Sequence, residues 1–307
     1  MPGKQVTELD ALPSFTDTSL VPVHNGAGLK KGLLSQLASY LGTKFSNPNL
    51  LINPDFKINQ RGQSTYSSTG AGATVDRWIG TNAKTVVNSD GTVSVSSLSG
   101  IGYYTQHEEN ISYGKHTYSI YVQAITGTVK AFYKSKDSED NELGTLKQGL
   151  NTFTSVDNGF KSFFLSIAGG SSVTLKYAKA EQGTVATSFI VPNRAEELIK
   201  CKRFFQVLNV FEGFVGSVSY WNLYTKFYVG AMRTTSPTIT ANVSSATINL
   251  SGDNTDRKLQ LGNSITPTMY LNELIITHKS ATNFGYNAFT ACIFRSAIIY
   301  NVDAEIY

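Results

Sequence analysis

At residues 114–124 the chain reads GKHTYSIYVQA, with Tyr118, Ile120, Val122 and Ala124 on one side of an extended strand and Thr117, Ser119, Tyr121 and Gln123 on the other. A period of two marks a half-buried strand, because the apolar stripe of a helix recurs every three to four residues instead. The same period returns in KSFFLSIAGG (Phe163, Leu165, Ile167) and SVTLKYA (Val173, Leu175, Tyr177), and again in TVSVSSL and TVKAFY. Gly, Asn and Asp turns separate these runs. Short alternating segments broken in this way predict an antiparallel, jelly-roll-like sandwich of two packed sheets over residues 48–193. No stretch between them has room for the helical crossovers of a parallel sheet.

The period changes on both flanks. In residues 1–47, Pro13, Pro22 and nearby glycines predict extended chain. LKKGLLSQLASYLG then sets Leu29, Leu33, Leu37 and Leu41 four apart with Leu34 and Tyr40 beside them, which predicts one short amphipathic helix capped at Gly42. A single helix in so short a segment cannot bury a core, so the stripe is expected to dock on sister chains, another protein or the next domain. At 193–208, NRAEELIKCKRFFQVL opens with Asn193 as N-cap and Glu196 three residues on. Leu198, Cys201, Phe205 and Leu208 follow at helical spacing. This helix predicts a boundary, and 194–307 then returns to strands in PTITANV, ATINLSG, NELIITH and ACIFRSAIIYNVDAEIY. In the last run Cys292, Phe294, Ser296, Ile298, Tyr300 and Val302 alternate against Arg295 and Asn301.

Composition narrows the function. Of 307 residues only 16% are charged, against about 25% in an average domain, while Ser, Thr, Asn and Gly are abundant and 16 Tyr and 17 Phe are present. Polar, uncharged β-structure of this kind suits an extracellular or particle surface. The net charge of +4 without a basic run argues against nucleic acid as a partner. Nothing near the start has the build of a secretion signal, and no apolar run reaches membrane-spanning length. Synthesis in a cytoplasm without membrane insertion is expected. Cys201 and Cys292 stand far apart and give neither a disulfide framework nor zinc spacing; free buried thiols and a single bridge are the two readings.

Catalytic signals are sparse. His24, His107, His116 and His278 are scattered singly, and no nucleophile elbow or phosphate-cradling glycine loop is present. The chain is read as non-enzymatic and as needing no cofactor. Asp137, Glu139 and Asp140, with Glu142, make KDSEDNELG dense in oxygen ligands. A structural calcium site and a solvated loop are both open there, and Lys134, Lys136 and Lys147 favour the second. For sugar recognition, exposed rings beside polar groups are required. SYWNLYTKFY offers Tyr220, Trp221 and Tyr224, although alternation puts Tyr220 and Tyr224 on one face and Trp221 on the other. The turn-rich ATNFGYNAF offers Asn283, Phe284, Tyr286 and Asn287.

A further set of motifs carries a resemblance. NLLINPDFKINQRG at 49–62 has Leu50, Ile52, Phe56 and Ile58 as the apolar set of a first strand bent at Pro54-Asp55. Asn53 and Asn59 are placed to satisfy turn backbone, and DRW at 76–78 gives a core Trp78 with Asp76 and Arg77 at the sheet rim. With GKHTYSIYVQA, the closing VTLKYAKAEQGTVATSFIVPNRAEELIKCKRFF, VGAMRTTSPTI and the final NVDAEIY, this order resembles tailed-bacteriophage fibre and receptor-binding proteins, whose sandwich is similar to carbohydrate-binding jelly rolls. VTELDAL…LVPV…KK in residues 1–47 resembles a virion-attachment leader.

The resemblance implies a homotrimer located in the virion, attached to other virion proteins through residues 1–47. It also implies a sandwich over 48–193 and a distal head over 194–307 that binds a host surface glycan. A purely structural head-fibre or adaptor role is the alternative. A polysaccharide depolymerase is a third reading, disfavoured because the parallel β-helix repeats usual in those enzymes are not visible.

Overall fold

Alternation in the middle of the chain becomes a sandwich because inward residues from strands distant in sequence meet in one cluster. The computed structural model describes residues 45–215 without a break. It also describes 19–24, 29–34, 36–37 and 40 before them, and 222–228, 232–234, 237–241, 245–250, 257–260, 265–270, 273–279 and 291–305 after them. Side chains are described at 19–20, 33–34, 36–37, 40, 45–208, 232–234, 237–241 and 299–305.

In chain order the first strands are β1 (Leu20–His24), β2 (Leu29–Leu33), β3 (Thr65–Ala73), β4 (Ile79–Val87), β5 (Val93–Ser97), β6 (Gly102–Ser112) and β7 (His116–Thr126). Then come β8 (Val129–Lys134), β9 (Asp140–Thr145), β10 (Gly149–Thr154), β11 (Phe160–Ile167), β12 (Ser172–Gln182) and helix α1 (Arg194–Lys202). The remaining strands are β13 (Phe205–Val215), β14 (Asn222–Tyr228), β15 (Thr238–Ala241), β16 (Ser245–Leu250), β17 (Arg257–Gln260), β18 (Ile265–Tyr270), β19 (Glu273–Lys279) and β20 (Ala291–Asp303). The protein is mainly β, as its alternation predicts.

The central sheet runs β10-β7-β12-β5-β4-β6-β11-β8-β9, with β3 also on β4. Every pairing is antiparallel. β4 is the corner. Its Ala83–Val87 half pairs with β5, its Ile79–Thr81 part pairs with β6, and β3 follows its other edge. The two wings thus fold over one another. Tyr118 of β7 lies 5.6 Å from Tyr133 of β8 and 6.0 Å from Phe163 of β11, although β7 hydrogen-bonds to neither strand. Trp78, fully buried, stacks on Tyr104 at 5.0 Å and meets Phe56 at 5.0 Å. Val93, Val95, Ile120, Val122, Leu165 and Ile167 complete the cluster.

The structure corrects several expectations. Residues 50–58 form turns rather than a strand. Asn53 and Phe56 sit at φ of 53° and 62°, in the left-handed region that ends pairing, and Asn53 takes the ladder's place. Its Oδ1 accepts from the Ile58 amide, and its Nδ2 donates to the carbonyls of Ile58 and Asp76, all at 2.9 Å. Trp78 Nε1 in turn donates to the Asn53 carbonyl at 3.0 Å. The role given to Asn53 and Asn59 holds, since Asn59 Nδ2 also reaches the Gln63 carbonyl at 2.9 Å.

Asp76 and Arg77 are buried, not at the rim. Arg77 donates to both carboxylate oxygens of Glu305, from its backbone N at 3.0 Å and Nη1 at 2.7 Å, while its guanidinium lies 3.6 Å over Phe204. Asp76 accepts from the backbone and side chain of Gln60. In SVTLKYA, Val173 and Leu175 point inward, but the register slips between Leu175 and Tyr177. Ala178 and Ala180 therefore take the core positions, and Tyr177 turns outward.

Asn193 caps α1 by accepting from the Ala195 and Glu196 amides. The helix stops at Lys202, so Phe205 and Leu208 belong to β13, where the backbone pairs with Asp303 and Tyr300 of β20. Long-range strand pairing overrides their helical spacing. The C-terminal sheet runs β17-β16-β20-β13-β14-β19-β18, with β15 also on β20. Near the N-terminus Leu29–Leu33 is a strand in a hairpin with β1, and helical backbone begins only at Leu34. Cys201 is free and buried, and burial pushes its thiol well up.

Candidate functional site

On strands that bury one side, an aromatic residue on the other side is out of phase with the core. β11 and β8 each carry one. Phe163, Leu165 and Ile167 point inward, which sends Phe164 to the other side, where its neighbours cover it to 6% exposure; Val129, Ala131 and Tyr133 point inward, which sends Phe132 to that same side, half-buried. The register sets Phe164 directly opposite Phe132 and, on its other side, opposite Thr105 of β6. Their rings stack 5.1 Å apart at 9°, and Tyr103 approaches Phe164 edge-on at 6.1 Å with 38% of its surface exposed.

Polar groups frame these rings in the same lattice. One neighbouring row holds Tyr103, Ser166, Lys130 and Thr145, and the other holds His107, Ser162, Lys134 and Asp140. Glu142 pairs with Phe132 at the end of the middle row. Lys130 Nζ bonds Glu142 Oε2 at 2.9 Å, and Lys134 Nζ bonds Asp140 Oδ1 at 2.6 Å while standing 5.9 Å from the Phe164 ring centre. Both pairs are partly exposed, so their donors and acceptors remain within reach of a ligand. Burial, followed by the Arg77 charge, draws the His107 imidazole below its ordinary value, so it stands neutral at neutral pH. The result is a small aromatic patch, with Phe132 and Tyr103 partly open on either side of the covered Phe164, edged by charge pairs of both signs; partly open rings beside such groups could contact a ring that is apolar on its faces and hydroxylated at its rim.

A second outward ring group, Tyr121, Tyr177 and Phe189, is closed on itself. Phe189 lies parallel on Tyr177 at 4.0 Å, a tighter stack than that of Phe132 on Phe164, and among the described residues no charge pair is recorded beside these rings apart from Lys176 5.4 Å from the Tyr121 ring centre.

Of the residues singled out in the sequence, Tyr220, Trp221, Asn283, Phe284, Tyr286 and Asn287 lie outside the described residues. The Tyr224 backbone sits in β14, opposite Phe214 and Thr277. Asp137 and Asp140 each face a lysine, Lys136 and Lys134, at 2.6 Å, and the Glu139 amide donates to Ser135 Oγ. Among the described residues no group of three or more His, Cys, Asp or Glu is gathered as a metal centre. No described helix is long and apolar enough to cross a membrane. Phe132 and Phe164 were missed, although the signal is in the sequence: each is an aromatic residue at the outward phase of an alternating run.

No protein-family model matches the chain, and no curated protein matches it. Among solved structures it is similar to a mutant of a family 29 carbohydrate-binding module, at 14% identity and a TM-score of 0.30, over 43% of this chain and 100% of that one. It is also similar to discoidin II from Dictyostelium discoideum, at 12% identity and a TM-score of 0.21, over 70% of this chain and 82% of that one. Likeness at these scores does not fix a fold, and the sandwich described above stands on its own strand pairing.

Proposed function

We propose that this chain is a non-enzymatic, glycan-binding fibre protein of a bacteriophage particle, and that the Phe132–Phe164 face of its sandwich is one of its sugar contacts. The observation that carries the binding role is the half-buried Phe132, stacked on the covered Phe164 beside the exposed Tyr103 and bracketed by Lys130, Lys134, Asp140 and Glu142. The fibre role is supported by the order of motifs along residues 49–307, and residues 1–47 are the virion-attachment segment. The protein acts as a homotrimer without cofactor. Phe45, Leu150, Ile190 and Val191, each at least 60% exposed, are apolar surface that neighbouring chains would cover. Three weak sites per fibre and several fibres per particle raise avidity by about 10²–10⁴ without a tight single site.

The test is a glycan array probed with the purified full-length chain and with Phe132→Ala. Phe132 is half-buried on an outer face, so the variant is expected to stay folded and to lose about tenfold in affinity for any glycan bound by wild type. Unchanged binding by the variant removes this face from the site. A monomer in analytical ultracentrifugation removes the trimer.

A further inference from the structure

A strand at the edge of a sheet keeps one row of backbone N–H and C=O groups unpaired, and native edges are blunted by charge, proline or a bulge. Three strands of the sandwich have a single partner: β3, β9 and β10. β3 is broken by a register shift between Ser68 and Ala71, and β9 carries Asp140 and Glu142. β10 has none of these devices. It pairs with β7 without a shift, and from Gln148 to Val156 the chain holds no charge and no proline.

The phase of β10 fixes which of its groups are free. Ser155 N donates to the His116 carbonyl at 2.8 Å, so in the same register Phe153 and Asn151 turn their backbone groups toward Tyr118 and Ile120. Leu150, Thr152 and Thr154 turn theirs away from β7. All three are exposed, Leu150 at 60%.

The ends of the run say what fits there. Lys147 precedes it and Asp157 follows it, both exposed, and neither is in an ion pair among the described residues. A second copy of the run, antiparallel about a two-fold axis at Thr152, sets Lys147 against Asp157 of the other copy at each end. That register also sets Thr152 opposite itself and Leu150 opposite Thr154. Every residue with free backbone groups then meets another, and each such pair exchanges two hydrogen bonds. A foreign strand would satisfy the backbone equally well but would match both end charges only by chance.

We propose that β10 is an association edge, joining two copies of this chain strand to strand through their 147–157 segments. The contact is two-fold, lies outside the three-fold symmetry of a fibre, and links a copy in one fibre to a copy in the next. It is small against a standard interface, so it is weak in solution and acts where copies are held close. It does not depend on the Phe132–Phe164 face.

Cysteine cross-linking of the full-length chain under mild oxidation tests the pairing, with wild type as the control for Cys201 and Cys292. Thr152→Cys puts a thiol opposite its own copy, and it is expected to form disulfide-linked pairs about tenfold faster than Leu150→Cys or Thr154→Cys. An equal mixture of those two variants is expected to cross-link faster than either alone, because the two positions face each other. Adding Lys147→Glu to Thr152→Cys should slow the cross-link about threefold, and adding Asp157→Lys as well should restore it. Cross-linking of Thr152→Cys no faster than that of Leu150→Cys and Thr154→Cys overturns the pairing, as does a rate that Lys147→Glu leaves unchanged. Sedimentation of wild type at low concentration, where this contact is open, judges the trimer separately.

Discussion

Asn53 shows how much one side chain can decide. It is fully buried at a positive φ, and its amide group closes three hydrogen bonds to backbone that would otherwise lie orphaned beneath Trp78. Asn53→Ala is expected to cost about 3 kcal/mol or more in urea denaturation, because it strands those groups and also strains the left-handed turn. Asn53→Gly relieves the strain but not the hydrogen bonds, so it should recover only part of the loss. Asparagine's fitness for turns was legible in the sequence, but its burial was not, because the Asp76 carbonyl it serves lies 23 residues away. Arg77 was misplaced for the same reason. A charged residue beside a core tryptophan reads as rim until its partner is found, and Glu305 is 228 residues downstream.

Among the elements, the strands that obey strict alternation were readable, and those whose register slips or whose spacing is ambiguous were not. β11 keeps its phase throughout. β12 loses it at Leu175–Tyr177, and the Phe205–Leu208 segment matches a helical period while its backbone pairs with β20. Alternation places Phe132 and Phe164 on the outward side of their strands but does not say which ring is left open, and only Phe132 is. β6 shows a different consequence of alternation. Gly102, Tyr104 and Gln106 point inward, and the same phase carries the carboxylate of Glu108 in after them. Burial raises Glu108 from its ordinary 4.5 to about 7, and its Oε1 has no hydrogen-bond partner. The folded chain then holds a proton that the unfolded chain releases. Stability is expected to be fully present below pH 4.5 on this account and to fall as pH rises toward 7, by at most about 3 kcal/mol. Glu108→Gln should flatten that slope in thermal melts across the same range. A slope unchanged by the substitution would assign it to other groups.

At the scale of the molecule, the two sheets are joined by buried charge. Arg77–Glu305 is enclosed on both sides, and Glu197 of α1 accepts from the Asn53 amide at 2.6 Å. Glu305→Ala leaves the buried Arg77 guanidinium without its carboxylate and is expected to cost about 3–5 kcal/mol. The loss should register in the fluorescence of Trp78, inside the sandwich, although the substitution is in the last residues of the chain. A melt in which Trp78 is indifferent would show that the halves are energetically separate.

The sandwich also has a particular way of holding its two ends. Leu50 donates to the Ala180 carbonyl, the Asn47 amide meets Thr187 Oγ1 at 2.9 Å, and the enclosed Lys179 reaches both Ser46 and Thr187 while paired with Glu181 at 3.1 Å. The polypeptide therefore arrives and departs at one edge, cinched by a polar knot. Tension drawn along the backbone between the segments on either side of the sandwich would run through that knot and load its short bonds before the sheets. The strands between would then keep their shape while the tether bears the strain.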